Sequence, residues 1–241
     1  MTDTSLVLRV CRADGSSHNG FRWPLEVGAV VEAPDWAPTE ECGNGLHGWL
    51  YGQGDYACSD HWTYKGAKWM VLEVRSASII MLDGKCKFPR ATVRFVGQIH
   101  DAAAYLIANE PRARDVAVIG ASVSVGDDET AVVGALGTAT AGASGTATAG
   151  YRGTATAGAS GTATAGALGT ATAGASGTAT AGASGTATAG YRGVISIQYW
   201  DAAASRYRVK VGYIGEDGLT ANVQYRLNDK HEFVEVPCTQ D

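Results

Sequence analysis

GTATAGASGTATAGYRGTATAGAS, residues 137–160, repeats six letters three times and changes only the two between them. Perfect GTATAG cores begin at Gly137, Gly145, Gly153, Gly161, Gly169, Gly177 and Gly185, each eight residues after the last. In an extended chain successive side chains face opposite sides, so Thr138 and Thr140 share one face and Ala139 and Ala141 the other. Thr favours strands, and Gly142 and Gly145 are expected to supply the positive φ values of tight corners. One octad therefore reads as a short strand plus a corner, and two octads as a flattened coil of 16 residues. Stacked at ~4.8 Å, such coils satisfy their backbone hydrogen bonds between rungs.

Working outward, the repeat degrades at both ends. ASVSVGDD (121–128) and ETAVVGAL (129–136) keep the alternation with Val for Ala, and GVISIQYW (193–200) swaps in Ile. Atypical terminal repeats are what a stacked array needs at its ends, whereas a disordered linker has no reason to grade this way. Ten octads give five coils, a rod on the order of 24 Å long. Burying a Thr hydroxyl without a partner is costly, so Ala is expected inside and Thr outside. The interior gains only about 0.8 kcal/mol per methyl-sized group, leaving the backbone ladder and the ends to supply stability. Leu136, Tyr151, Leu168 and Tyr191 read as corner or edge fillers.

The outward set forms two hydroxyl arrays. It comprises Thr138 with Thr140, Thr146 with Thr148, Thr154 with Thr156, Thr162 with Thr164, Thr170 with Thr172, Thr178 with Thr180 and Thr186 with Thr188. Neighbours lie about 6.6 Å apart along a strand and about 4.8 Å apart between rungs. This Thr-x-Thr octad pair with its recurring AGY resembles the repeat of bacterial ice-nucleation proteins and the Thr arrays of solenoid antifreeze proteins. The resemblance implies an ordering of water into an ice-like layer. The second half-coil departs from the nucleation pattern, repeating TAT where those proteins carry a Ser-Leu type sequence. Other expected uses of the array are a spacer rod, a surface for a repetitive glycan or polymer, and self-association through solenoid faces or open rod ends.

Residues 1–112 are mixed in composition and carry five of the six Trp. SLVLRVC, GAVVEA, WMVLEVR, SIIML and ATVRFVG read as strands between turn signals, and Asp101–Asn109 as a helix with Asp101 as N-cap and Pro111 as stop. The tail, 201–241, returns to strand-like alternation in RYRVKVGYIG, NVQYRL and EFVEV. The chain is thus expected to be mostly β: an α+β head (1–112), a β-solenoid (113–200) and a small β cap (201–241).

Within the head, Cys42, His47, Cys58 and His61 read as C-x4-H-x10-C-x2-H, four residues competent to hold zinc. The competing reading is a Gly-rich loop with a structural His and ordinary thiols, and no cofactor is assigned. Cys42, Gly45-Leu46-His47 and Asp55-Tyr56-Ala57 resemble a small domain of unknown function found in phage and bacterial genomes, including phage rapid-lysis-locus B proteins. That similarity covers about residues 5–97 and implies a bacterial or phage origin. GLH also suggests an ADP-ribosyltransferase-like site, with Glu73 as its acidic partner. His18, His100 and His231 are expected alone in solvent. No P-loop, G-x-G-x-x-G or Ser-His-Asp elbow occurs.

A net charge of −5 lacks the basic field that non-specific nucleic-acid binding needs. The amino terminus shows no signal-peptide pattern and no apolar run approaches a membrane span, so a cytoplasmic location is expected. The odd count of 5 Cys suits reduced thiols. The leading expectation is a non-enzymatic repeat protein with a recognition or capping head.

Overall fold

The computed structural model describes residues 4–237, and the chain forms two compact units, 1–119 and 120–241. Cys238 lies outside the described residues.

The first unit contains β1 (Thr4–Cys11), β2 (Val30–Glu32), β3 (Leu46–Leu50), β4 (Lys68–Arg75), β5 (Ile80–Leu82), β6 (Lys85–Phe88), β7 (Arg90–Gly97) and α1 (Ile99–Asn109). The strands form one antiparallel sheet in the order β2-β7-β4-β1-β3-β6-β5. β1 sits at its centre because LVLRVC is apolar on both faces, and α1 packs against β1, β4 and β7. Ala102, Ala103 and Leu106 carry the buried stripe of that helix, whose spacing matches one helical face. The helix begins at Ile99, so Asp101 sits in its first turn rather than at the cap; there its carboxylate still favours the helix dipole. On the opposite side Val7, Cys11, Trp23, Leu46, Met70, Leu72, Phe88 and Val93 form a close-packed core. β3 and β6, absent from the strands expected, are interrupted in sequence by Gly48 and by Lys85 and Lys87. Gly48 is required by proximity: a Cβ there would stand 2.4 Å from Val7 Cγ1 and 2.7 Å from the Leu8 carbonyl oxygen.

The second unit begins with β8 (Ser122–Ser124) and β9 (Thr130–Val132). It continues through β10 (Thr138–Ala141), β11 (Thr146–Ala149), β12 (Thr154–Ala157), β13 (Thr162–Ala165), β14 (Thr170–Ala173), β15 (Thr178–Ala181) and β16 (Thr186–Ala189). β17 (Val194–Asp201), β18 (Arg206–Tyr213), β19 (Tyr225–Leu227) and β20 (Phe233–Glu235) follow. Alternate strands pair in parallel with no register shift, Thr138 against Thr154, Thr154 against Thr170 and Thr170 against Thr186. The repeat is therefore a β-solenoid of about five coils with two sheets. One runs β8-β10-β12-β14-β16 and the other β9-β11-β13-β15-β17. Ala occupies the interior: Ala139, Ala155, Ala171 and Ala187 are all at 0% exposure, while the paired Thr side chains face out.

The corners differ from the expectation. Neither Gly142 nor Gly145 lies in the left-handed region; the residue between them that does is Ser144, at φ 55°. Leu136, Arg152, Ser160, Leu168, Ser176, Ser184 and Arg192 repeat this conformation. Gly145 N–H donates to the Gly142 carbonyl at 3.2 Å, closing a four-residue turn whose third residue is left-handed, a place usually given to Gly or Asn. The glycines serve close approach instead. A Cβ at Gly158 would stand 2.7 Å from both Ala143 N and the Gly142 carbonyl carbon of the preceding coil.

The tail closes the solenoid as the expected β cap, its strands extending both sheets. β18 pairs antiparallel with all of β17, and β19, itself paired with β20, joins β16 through Ala187 and Tyr225. At this end the parallel ladders therefore do not finish as bare rungs, whereas β8 and β9 are the outermost strands at the other. Ile195, Ile197, Ile214, Leu219 and Tyr225 fill the closing end with larger side chains than Ala can provide. Among the described residues no helix is long and apolar enough to cross a membrane.

Candidate functional site

The Thr pairs form two ladders of unequal size. The first sheet carries Thr138/Thr140, Thr154/Thr156, Thr170/Thr172 and Thr186/Thr188. The second carries Thr146/Thr148, Thr162/Thr164 and Thr178/Thr180. On the first sheet the hydroxyl ladder runs one rung further than expected, because Ser122 and Ser124 stand in register with Thr138 and Thr140. The signal was the Ser-Val-Ser alternation sixteen residues upstream. On the second sheet each flanking rung keeps one hydroxyl and loses the other: Thr130 stands against Thr146 but Val132 against Thr148, and Ser196 against Thr180 but Val194 against Thr178. Some hydroxyls bond along the stack: Thr186 Oγ1 to Thr170 Oγ1 at 3.2 Å, and Thr180 Oγ1 with Ser196 Oγ at 2.9 Å. Gln224 donates to Thr186 Oγ1 at 2.9 Å, tying the tail to the last rung of the first ladder. The faces carry no charged side chain within the perfect octads; Arg152 and Arg192 sit at corners.

The other concentration of polar groups is in the first unit. The expected quartet does not converge. Cys42, His47 and Cys58 line one cavity of about 540 Å³, but His61 does not, and the one group of three or more ligand atoms within 4.8 Å of each other among the described residues is His18, Asp60 and His61. His47 lies on β3 and His61 in the short turn His61–Thr63, and among the described residues His47 belongs to no such group. His61 is buried with Nδ1 3.0 Å from Ser59 Oγ and its ring edge-on to His18 at 4.6 Å, so His18 is not alone. His231 is not alone either, stacking on Tyr199 at 3.9 Å. Glu73 pairs with Arg94 at 2.7 Å and does not line the cavity that contains His47, so the acid–histidine arrangement of an ADP-ribosyltransferase-like site is not assembled.

Around the cavity, cations outnumber carboxylates. Arg9 and Lys85 line it with Asp35 as the single acidic residue. Burial pushes the His47 imidazole down to about 4, helped by Lys85, Arg9 and Lys87 and opposed by Asp35. Lys87, fully buried, is held by the Glu41 carbonyl at 2.8 Å, Thr39 Oγ1 at 3.3 Å and the Gly43 carbonyl at 3.4 Å. That clamp fixes the loop bearing Cys42, whose Sγ accepts from Lys85 Nζ at 3.0 Å. Burial raises the Cys58 thiol above its ordinary range, Asp55 adding to the effect.

Arg9 was missed in the sequence. It shares a face of β1 with Val7 and Cys11, so the alternation puts a cation among core residues. That oddity was legible as a charge in LVLRVC.

Comparison with known proteins agrees with both halves of the sequence reading. The chain is 39% identical over 108 residues to the ice nucleation protein of Xanthomonas campestris pv. translucens, covering 44% of this chain and 7% of that one. It is 40% identical over 106 residues to the ice nucleation protein of Pseudomonas fluorescens, covering 43% and 8% respectively. For the ice nucleation protein of Pseudomonas syringae the figures are 38% over 110 residues, 45% and 9%. The chain thus spans less than a tenth of the length of these relatives. No solved structure matches. Residues 5–106 match the family described as a domain of unknown function (DUF7666), which the chain carries at its amino-terminal end.

Proposed function

We propose that the second unit binds ice or ordered water through its Thr ladders, and that the protein acts as a non-enzymatic repeat protein. The observation carrying this reading is the unshifted pairing of Thr138, Thr154, Thr170 and Thr186 on one sheet. It sets hydroxyls and methyls on a lattice of about 4.8 by 6.6 Å, with no charge to disorder the adjoining water. The likeness to proteins named for ice nucleation supports it. Five coils make a small array, so the expected activity is adsorption to ice and restraint of its growth rather than efficient nucleation.

An ice-recrystallisation assay on the full chain tests this. Wild type is expected to keep crystals small, and the Thr154→Lys, Thr156→Lys double variant to lose that effect while remaining folded. The matching pair on the other sheet, Thr162→Lys with Thr164→Lys, is expected to weaken it less, because that ladder has fewer hydroxyl rungs. Crystal growth in wild-type solution equal to that in buffer sinks the proposal.

A further inference from the structure

We propose that the cavity of the first unit binds a small molecule carrying an oxyanion, carboxylate or phosphate, on a ring or other apolar body, with Arg9 as its buried counter-charge. The argument is a contrast between two cations in one domain. Lys87 is buried and has three oxygen acceptors. Arg9 is nine-tenths buried, at 8% exposure, and forms no ion pair among the described residues. Its guanidinium reaches one acceptor, the His47 carbonyl at 3.2 Å from Nη1, and lies 5.1 Å from the Trp23 ring centroid, while Nε has no partner. A buried cation left this incompletely compensated is costly, and the fold shows with Lys87 that it can satisfy one fully.

The surroundings supply what an anion would use. Arg9 lines the cavity, Lys85 adds a second positive charge, and His47 contributes a ring whose buried Nε2 also lacks a partner. An oxyanion would satisfy the forked guanidinium with charge-assisted bonds, the geometry Arg suits best. Phe21, Trp23 and Leu46 line the same space and would cover an apolar body. A volume of about 540 Å³ falls in the usual range for small-molecule sites. This site lies wholly in the first unit and is independent of the Thr ladders.

Isothermal titration and thermal unfolding of the full-length protein decide it, with inorganic phosphate, phenyl phosphate and benzoate as probes and benzyl alcohol as the uncharged control. At least one ring-bearing anion should bind saturably and raise the unfolding temperature of the first unit, more than inorganic phosphate does, and benzyl alcohol should do neither. Preference between phenyl phosphate and benzoate identifies the oxyanion. Arg9→Met should weaken binding by about tenfold or more, the worth of a charged hydrogen bond, without lowering the unliganded unfolding temperature. Should Arg9→Met not fold, Arg9→Lys replaces it and is expected to weaken binding by a similar factor through loss of the fork. Lys85→Gln, at a half-buried position, should weaken it less. No saturable binding of any anion, or a destabilised Arg9 variant that binds as wild type, overturns the proposal.

Discussion

The two units reach β structure by opposite means. The first holds one antiparallel sheet with large side chains such as Trp49, Met70, Leu72 and Phe88, each at 2% exposure or less, and no two neighbouring strands share a sequence. The second holds two sheets, parallel through the repeat, over an interior of Ala methyls, and its specificity lies in how closely backbones approach at each corner. In the first, removing volume should be the damaging change. In the second, adding it should be.

The largest effects should appear where that rule is tested most directly. Phe88→Ala, at a side chain with 0% exposure, is expected to cost the first unit about 4 kcal/mol through lost burial and the cavity left behind. Gly158→Ala adds a single methyl, yet its Cβ would meet two backbone atoms of the preceding coil at 2.7 Å, and neither can yield without separating the rungs. It should cost the second unit about 3 kcal/mol, the upper part of the range for overpacking. Denaturant unfolding, with Trp fluorescence for the first unit and far-ultraviolet circular dichroism for the second, measures both. A Gly158→Ala loss below about 1 kcal/mol would show the corners to be far softer than a backbone contact allows. Deleting residues 153–168, a whole coil, should cost less than that one methyl, because the new neighbours Gly137 and Gly169 begin identical strands.

The units should also part in their response to acid. His47 titrates at about 4 in the folded state, below its ordinary value of 6.5, first because it is buried and then because Lys85 and Arg9 are near. Between those values the unfolded chain binds a proton that the folded one refuses, so stability is present above pH 6.5 and falls as pH drops toward 4. His61 is shifted in the same direction, again chiefly by burial. The first unit should lose on the order of 2 kcal/mol across that window, allowing for partial solvation. The perfect octads contain no group titrating there, so the ladder's dichroism should change little. Equal acid sensitivity of both units would contradict the assignment, as would a His47→Gln variant with an unchanged profile in the first.

How much could be read in advance follows from the same contrast. In the octads, residue type and position repeat together, so the 16-residue coil, the inward Ala and the closing Ile residues were all visible. What escaped was conformational: Gly is permissive of positive φ, and nothing in its identity says whether it is used for that freedom or for its missing Cβ. In the first unit the strands rich in β-branched residues were legible, but β3 and β6 carry Gly48, Lys85 and Lys87, which lack that signature. The zinc quartet failed for a related reason. Sequence spacing brings Cys58 and His61 within three residues, yet ligand convergence depends on which surface each occupies, and His61 does not line the cavity that Cys42, His47 and Cys58 share. Arg9 is the converse case, a local anomaly whose meaning needed the cavity beside it.

The smallest effect discriminates most finely between the two uses of glycine. Ser160 is exposed and left-handed, at φ 56°, in a corner where its N–H donates to the Ala175 carbonyl at 2.8 Å. That conformation costs an L-residue roughly 1–2 kcal/mol relative to the right-handed region. Ser160→Gly removes the strain and keeps the hydrogen bond, but enlarges the freedom of the unfolded chain by about 0.4–1 kcal/mol. The balance is a gain of about 0.5 kcal/mol; Ser184, in the other corner column, should add to it nearly independently, whereas Ser144 and Ser176 stand one rung from Ser160 and are close enough to couple with it. Gly at the eighth position should thus stabilise the solenoid while Ala at the sixth destabilises it. If Ser160→Gly and Ser176→Gly instead lower the midpoint of the ladder's unfolding transition, the serine hydroxyls contribute more to these corners than the backbone costs.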